Sequence, residues 1–166
     1  MAKEIKLTRG MIVLVDDEDF EELNQYKWYA SFSPKIKKTK HFYAQRSIAS
    51  SKETIIMHRI ILKISNSNIH VDHINGDTLD NRKSNLRICN RTENTRNSKI
   101  RSNNKIGYKG VCYISKNKKF KAQIQIDGKK VYLGYFVTAQ EAALAYNEAA
   151  IKYHGEFAYL NKLKES

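Results

Sequence analysis

The stretch Ile69-His70-Val71-Asp72-His73-Ile74-Asn75-Gly76-Asp77, continued by Leu86-Arg87-Ile88-Cys89 and Arg91-Thr92-Glu93-Asn94, decides how this chain is read. Its apolar alternation predicts a strand running to Ile74, and Asn75-Gly76 opens a turn-rich loop. A second short strand is predicted from Leu86 to Cys89 and a helix from about Arg91 to Lys99, giving strand, loop, strand, helix. Asn90, Asn94 and Asn97 would share one face of that helix, with Arg91 one turn from Asn94. Asparagine is a weak helix former, so three in line point to a site more than to a core.

Toward the C-terminus the pattern is more regular. Lys119 to Ile126 alternates strictly, with Phe120, Ala122, Ile124 and Ile126 on one face and Lys119, Lys121, Gln123 and Gln125 on the other, as a half-buried strand requires. Asp127-Gly128 predicts a two-residue hairpin turn. That turn sets Gln125 opposite Lys130, Ile124 opposite Val131, Gln123 opposite Tyr132 and Ala122 opposite Leu133. Thr138-Ala139-Gln140-Glu141 is a capping box. Ala142, Ala145, Tyr146, Ala149 and Tyr153 then fall on one helical face, and Gly155 supplies the stop. Alanines allow such a helix to lie close on the apolar side of a three-stranded sheet. The other side, bearing Lys109, Lys119, Lys121, Gln123, Gln125, Lys130 and Tyr132, stays open. It is either an ordinary solvated face or one that enters a DNA major groove, where Gln bonds adenine edges and Lys reaches guanine or phosphate.

Toward the N-terminus, Met11 to Val15 predicts a short strand. Asp16-Asp17-Glu18-Asp19 predicts a helix start, since acidic residues suit the positive end of the helix dipole. The acidic cluster is read as a solvated first turn in preference to a metal site. Tyr26 to Phe32 and His41 to Ser47 would pair, with Trp28, Phe32, Phe42 and Tyr43 supplying much of a small core. Lys35, Lys37, Lys38 and Lys40 between them either touch a DNA backbone or keep an edge soluble.

Composition narrows the function. The 166 residues carry 30 Lys plus Arg against 17 Asp plus Glu, a net +13. This favours a polyanion partner, because cations that neutralise phosphates release condensed counterions. The excess rises along the chain, from ten basic against eight acidic residues in 1–54, to eight against four in 55–100 and twelve against five in 101–166. Nothing approaches the roughly 20 apolar residues of a membrane span, and the start MAKEIKLTRG has no signal-peptide core. Two separated cysteines, Cys89 and Cys112, build neither a disulfide framework nor a cysteine-rich zinc site, which suits a reducing cytoplasm. Polar stretches at 33–40 and 97–105 look like joints between three modules, 1–54, 55–100 and 101–166.

The middle module has the parts that phosphodiester hydrolysis needs. A histidine is suited to take a proton from water near neutral pH, and a divalent cation on hard oxygen ligands such as Asp72 and the Asn94 carbonyl supplies positive charge. On a regular strand, however, Asp72 and His73 point to opposite faces. Either the strand distorts at its end, or metal and base flank the scissile phosphate from different sides. His58 is read as a packing or orienting residue, Asp77, Asp80 and Asn81 as turn residues, and Arg91 as the foremost phosphate contact.

Over roughly Met57 to Ser98 the chain strongly resembles the HNH nucleases, specifically the zinc-free group among phage and intron-encoded homing endonucleases. The motif is Asp-His, Asn-Leu-Arg with its Asn twelve residues after the His, and Glu-Asn with its Asn a further nine on. The resemblance implies that His73 is the general base, that Asp72 and Asn94 bind the metal, and that Asn85 orients the base by spanning the hairpin. Asn94 stands where many members have His, an alternative found in the homing group. A loosely held Mg²⁺, with Mn²⁺ also suitable and no structural zinc, is therefore expected.

From about Gly107 to Asn161 the chain resembles the Apetala-two/ethylene-response-factor DNA-binding domain. The resemblance rests on Gly107-Tyr-Lys-Gly-Val111, Lys119-Phe-Lys-Ala122, Tyr132-Leu-Gly134, Phe136 and the helix from Thr138 to Tyr146. It carries groove-reading roles onto Lys109, Gln123, Gln125, Lys130 and Tyr132. Cys112 and Ile114 stand where plant members have arginines, so a plant-type target sequence does not follow.

The combined expectation is an α+β chain. It has a β-rich N-terminal module, a ββα-metal nuclease core, and a three-stranded antiparallel sheet packed on one helix. Such a protein would cut duplex DNA at a preferred site, leaving 5′-phosphate and 3′-hydroxyl ends. It would act as a monomer without an obligate protein partner, in the cytoplasm of a bacterial or phage-infected cell. The alternative is a catalytically inactive DNA-binding transcription regulator. An RNA-directed role is a third reading, for which the chain lacks an obvious stack of exposed aromatics.

Overall fold

Alternation in the first residues builds a sheet with one buried side: β1 (Ala2–Lys6) pairs antiparallel with β2 (Ile12–Asp16), turning Ile5, Val13 and Val15 inward. The computed structural model describes residues 1–32, 41–48, 50–51, 53–98, 100 and 103–163. The four lysines at 35, 37, 38 and 40 lie outside the described residues. Helix α1 (Asp17–Asn24) opens with three acidic residues, as its dipole favours, and buries Leu23. A three-stranded antiparallel sheet follows from β3 (Tyr29–Phe32), β4 (Phe42–Ser47) and β5 (Thr54–Ile56), in the order β3-β4-β5. Helix α2 (Met57–Ile61) leads to the antiparallel pair β6 (His70–His73) and β7 (Leu86–Cys89). The chain continues through α3 (Arg91–Arg96), β8 (Val111–Ile114), β9 (Lys119–Ile126), β10 (Lys129–Phe136) and α4 (Ala139–His154). Mixed helices and antiparallel sheets make this an α+β protein.

Two compact units result, Met1–Asn90 and Arg91–Ser166. In the first, Leu7, Val13, Val15, Leu23, Trp28, Ala30, Ala44, Met57, Ile61 and Leu86 belong to one core, so residues on both sides of position 54 share it. Trp28 donates its indole N–H to the Leu23 carbonyl at 2.7 Å, satisfying the polar atom that its burial would strand. Phe32 departs from the expectation of a core residue. It is 46% exposed at the end of β3, with its ring edge on Phe42 and the Arg9 guanidinium 5.8 Å above it.

The second unit is the sheet β10-β9-β8 with α4 packed on it. Gly110 lies just before β8 with φ +77°, and a Cβ there would come within 2.1 Å of the Tyr146 ring. Only glycine fits so close an approach of sheet and helix. The hairpin register follows expectation as far as Gln123↔Tyr132, but Ala122 pairs with Gly134 and not Leu133. A β-bulge takes up the extra residue at Gly134, whose φ of 141° excludes most side chains, while Leu133 packs against the cores on the α4 side. The capping box of Thr138 and Glu141 is formed, with both bonds present. Helix α4 buries Ala142, Ala143, Tyr146, Ala149, Ala150 and His154. Tyr153, expected on that face, is 43% exposed, because the last turn presents His154 inward to donate from Nε2 to the Gln125 carbonyl at 2.9 Å. Helix α3 is shorter than expected: Asn90 precedes it and Asn97 follows it, leaving Asn94 as its one asparagine.

Candidate functional site

In the first unit the β6–β7 ladder is unbroken, with Asp72↔Arg87 and His73↔Leu86 as successive pairs. The strand does not distort at its end, so Asp72 and His73 leave it toward opposite faces. Both are buried, at 5% and 4% exposure. Asp72 Oδ2 accepts from Arg87 Nε at 2.9 Å and from Nη2 at 2.5 Å, an ion pair across the ladder that the sequence reading did not anticipate. On the other face, His73 lies edge to face with the buried His58, ring centroids 5.2 Å apart, and Tyr43 lies 6.3 Å away. Burial pushes His73 below the usual histidine range, although the hydrogen bond that the ring makes to the Asn81 carbonyl oxygen and the nearby Asp72 oppose the shift. Burial takes His58 further, down to about 3, assisted by His73 and Arg59. Both rings are therefore uncharged at neutral pH, the state a general base needs.

The loop between the strands is closed by its own polar side chains. Asn85 spans it: its Oδ1 accepts from the Asn75 amide at 2.9 Å and its Nδ2 donates to the Asp80 carbonyl at 2.7 Å. Buried Asp80 receives a fork of two bonds from Arg82, at 2.7 and 2.6 Å, and another from Asn75 Nδ2 at 2.9 Å. Those bonds hold the Asp80 carboxyl below the ordinary carboxylate range. Asn81 accepts from the imidazole, its Oδ1 lying 2.9 Å from His73 Nε2. The acidic cluster also has a use beyond a solvated turn. Asp16 accepts the Lys83 backbone N–H at 2.7 Å, and Glu18 and Asp19 take its ammonium.

Asp72 offers a hard oxygen donor fixed by Arg87. Among the described residues no three His, Cys, Asp or Glu side chains converge as a metal cage. A single carboxylate suits a divalent cation that fills the rest of its shell with water and phosphate oxygens. Asn94 and Arg91 lie on α3, in the second unit.

Within that second unit, Arg91, Arg96, Lys109, Gln123, Gln125 and Lys130 line a cleft of about 750 Å³. Five of these are expected nucleic-acid contacts. Lys119 and Tyr132 are exposed, Lys121 is half-buried, and the Lys121 ammonium sits 5.9 Å from the Tyr132 ring. Lys109 is half-buried and donates to the carbonyls of Arg96 and Ser98, each at 2.6 Å, which fastens the end of α3 to the sheet.

Residues 57–96 match the family described as HNH endonuclease. An uncharacterized HNH endonuclease of Acanthamoeba polyphaga mimivirus is 30% identical over 160 residues, covering 93% of this chain and 77% of the viral protein. APETALA2-like protein 2 of Oryza sativa subsp. japonica is 44% identical over 54 residues, 32% of this chain but 12% of the rice protein. An AP2-like ethylene-responsive transcription factor of Arabidopsis thaliana is 43% identical over 54 residues, 11% of its own length. No solved structure matches the chain. No helix among the described residues is long and apolar enough to cross a membrane.

Proposed function

The chain belongs to the HNH endonuclease family, and from that premise we propose that it is a homing-type enzyme that hydrolyses phosphodiester bonds at a preferred site in duplex DNA. One observation carries the reading: a buried, uncharged imidazole, His73, next in sequence to a buried carboxylate on the opposite strand face, Asp72, at the mouth of a loop locked by Asn75, Asp80 and Asn85.

His73 takes the proton of the attacking water as the new oxygen–phosphorus bond forms. The bond from phosphorus to the 3′ oxygen breaks, and that oxygen is protonated from solvent, giving 5′-phosphate and 3′-hydroxyl ends. Asp72 and Asn94 are the proposed ligands of one divalent cation, with Mg²⁺ or Mn²⁺ suited to their oxygens. Family members generally use a divalent metal, which when bound supplies positive charge to the phosphate and leaving oxygens. Arg87 holds the Asp72 carboxylate in place, and Asn85 holds the strand end that carries His73.

We assign residues 55–100 to the nuclease core and 101–166 to an Apetala-two-like reader, with residues 1–54 as the brace of the catalytic loop. Arg91, Lys109, Lys119, Lys121, Gln123, Gln125, Lys130 and Tyr132 are the proposed DNA contacts. The protein acts as a monomer in a reducing cytoplasm, bacterial or phage-infected. Incubation with supercoiled plasmid in Mg²⁺ or in EDTA tests the reading. Metal-dependent relaxation or linearisation, with ligatable ends, is the expected result. Salt-sensitive gel shifts without cleavage under any divalent metal would favour a DNA-binding regulator.

A further inference from the structure

One buried polar side chain at the site has no part in the chemistry above. Asn81 is 1% exposed, and its Nδ2 is buried without a partner while its Oδ1 meets His73 Nε2 at 2.9 Å. Burying an amide whose donor goes unsatisfied is destabilising, and an apolar side chain of similar size would avoid that cost. The position therefore calls for an explanation beyond packing.

We propose that Asn81 is a positioning residue: its side-chain carbonyl accepts the Nε2–H of His73 and fixes the ring in the tautomer whose lone pair lies on Nδ1, the atom that takes the proton from water. The proposal deepens the nuclease reading and rests on it for that last step. An amide oxygen only accepts, so a hydrogen bond at this distance requires the imidazole proton on Nε2.

The amide is held rigidly. The Asn81 N–H donates to the Leu14 carbonyl at 2.8 Å, the Leu14 N–H donates to the Leu79 carbonyl at 2.8 Å, and Leu14 and Asp80 form a parallel bridge. Asp80, next in chain, is locked by Arg82. Strand β2 thus reaches the imidazole through two backbone bonds and one side chain. This explains why a nuclease hairpin is built onto an N-terminal sheet. The ring faces complete the restraint, since His58 and Tyr43 pack against the imidazole and oppose its rotation.

The test is ¹⁵N NMR of histidine-labelled, metal-free protein at about pH 8, with the His73 signals assigned by their loss in His73→Gln. The expected spectrum has a protonated Nε2 and an unprotonated Nδ1. Asn81→Leu should average the two ¹⁵N signals and slow single-turnover DNA cleavage by at least about tenfold without changing DNA affinity, a loss within the range of general-base effects. Asn81→Asp keeps an acceptor and should restore the wild-type tautomer and part of the rate. A protonated Nδ1 or averaged signals in the wild type would overturn the proposal, as would an unchanged rate in Asn81→Leu with averaged signals. If Asn81→Leu fails to fold, the wild-type spectrum and Asn81→Asp decide. If the wild type cleaves nothing, the nuclease reading fails, while the spectrum still tests the bond to Asn81.

Discussion

The hairpins β6–β7 and β9–β10 are both antiparallel, yet different forces hold them. Strands β9 and β10 have eight residues each, meet at a two-residue turn and lie under a sixteen-residue helix. Ladder bonds and apolar burial account for them. Strands β6 and β7 have four residues each, too few to persist alone in water. Their connection is closed by Asn75, Asp80 and Asn85 and fastened from outside by Leu14, Asp16 and Phe42, whose carbonyl accepts from the Thr78 hydroxyl at 2.7 Å. The β9–β10 hairpin is thus encoded locally, whereas the closed loop that carries His73 depends on residues throughout the first unit.

Asp72→Ala strikes the first hairpin hardest. It leaves the half-buried Arg87 guanidinium without its cross-strand carboxylate and should cost about 3 kcal/mol, the low end for a buried pair, visible as a lower urea midpoint. A loss below about 1 kcal/mol would mean that the pair does not hold the ladder. Gly110→Ala makes the matching cut in the second unit. With Tyr146 and the Gln123 carbonyl in the way of a Cβ, a loss of about 3 kcal/mol is expected from overpacking and strain. The melt of that unit and its DNA affinity should fall together, and a neutral result would show that sheet and helix are less closely packed.

Acid should weaken the first unit through His58. Its folded pKa of about 3 lies below the unfolded value near 6.5. Between those values the unfolded chain binds a proton that the native state refuses, so stability falls as pH drops below about 6.5 and is flat above it. At about 1.4 kcal/mol per unit the loss by pH 5 is about 2 kcal/mol. His58→Leu should flatten this limb, leaving the part due to His73; an unchanged limb would place its origin elsewhere. The smallest effect belongs to Asp16→Ala. Loss of the carboxylate that accepts the Lys83 N–H should cost about 1 kcal/mol and speed hydrogen exchange in residues 79–85. Unchanged exchange there would separate the loop from its N-terminal brace.

Sequence periodicity reaches far into the second unit, because a two-residue turn propagates register along both strands and a capping box marks the helix start. It stops at Gly134, since a bulge depends on how Leu133 packs beneath α4. It also overstates Phe32 and Tyr153, whose exposure depends on where a strand and a helix end. In the first unit the motif spacing points to Asp72, His73 and Asn85. Asn81, by contrast, looks like any turn asparagine. Its meeting with His73 depends on backbone bonds to Leu14, 67 residues earlier, which no local pattern announces. The Lys83 contacts with the acidic cluster are hidden for the same reason.

In the proposed mechanism His73 performs the chemical step while other residues bind DNA. Single-turnover cleavage and DNA affinity, measured side by side for the wild type and His73→Ala in Mg²⁺, test it most directly. His73→Ala should cleave at least about a hundredfold more slowly with affinity nearly unchanged. Equal loss of both, or cleavage retained without the imidazole, would contradict that mechanism.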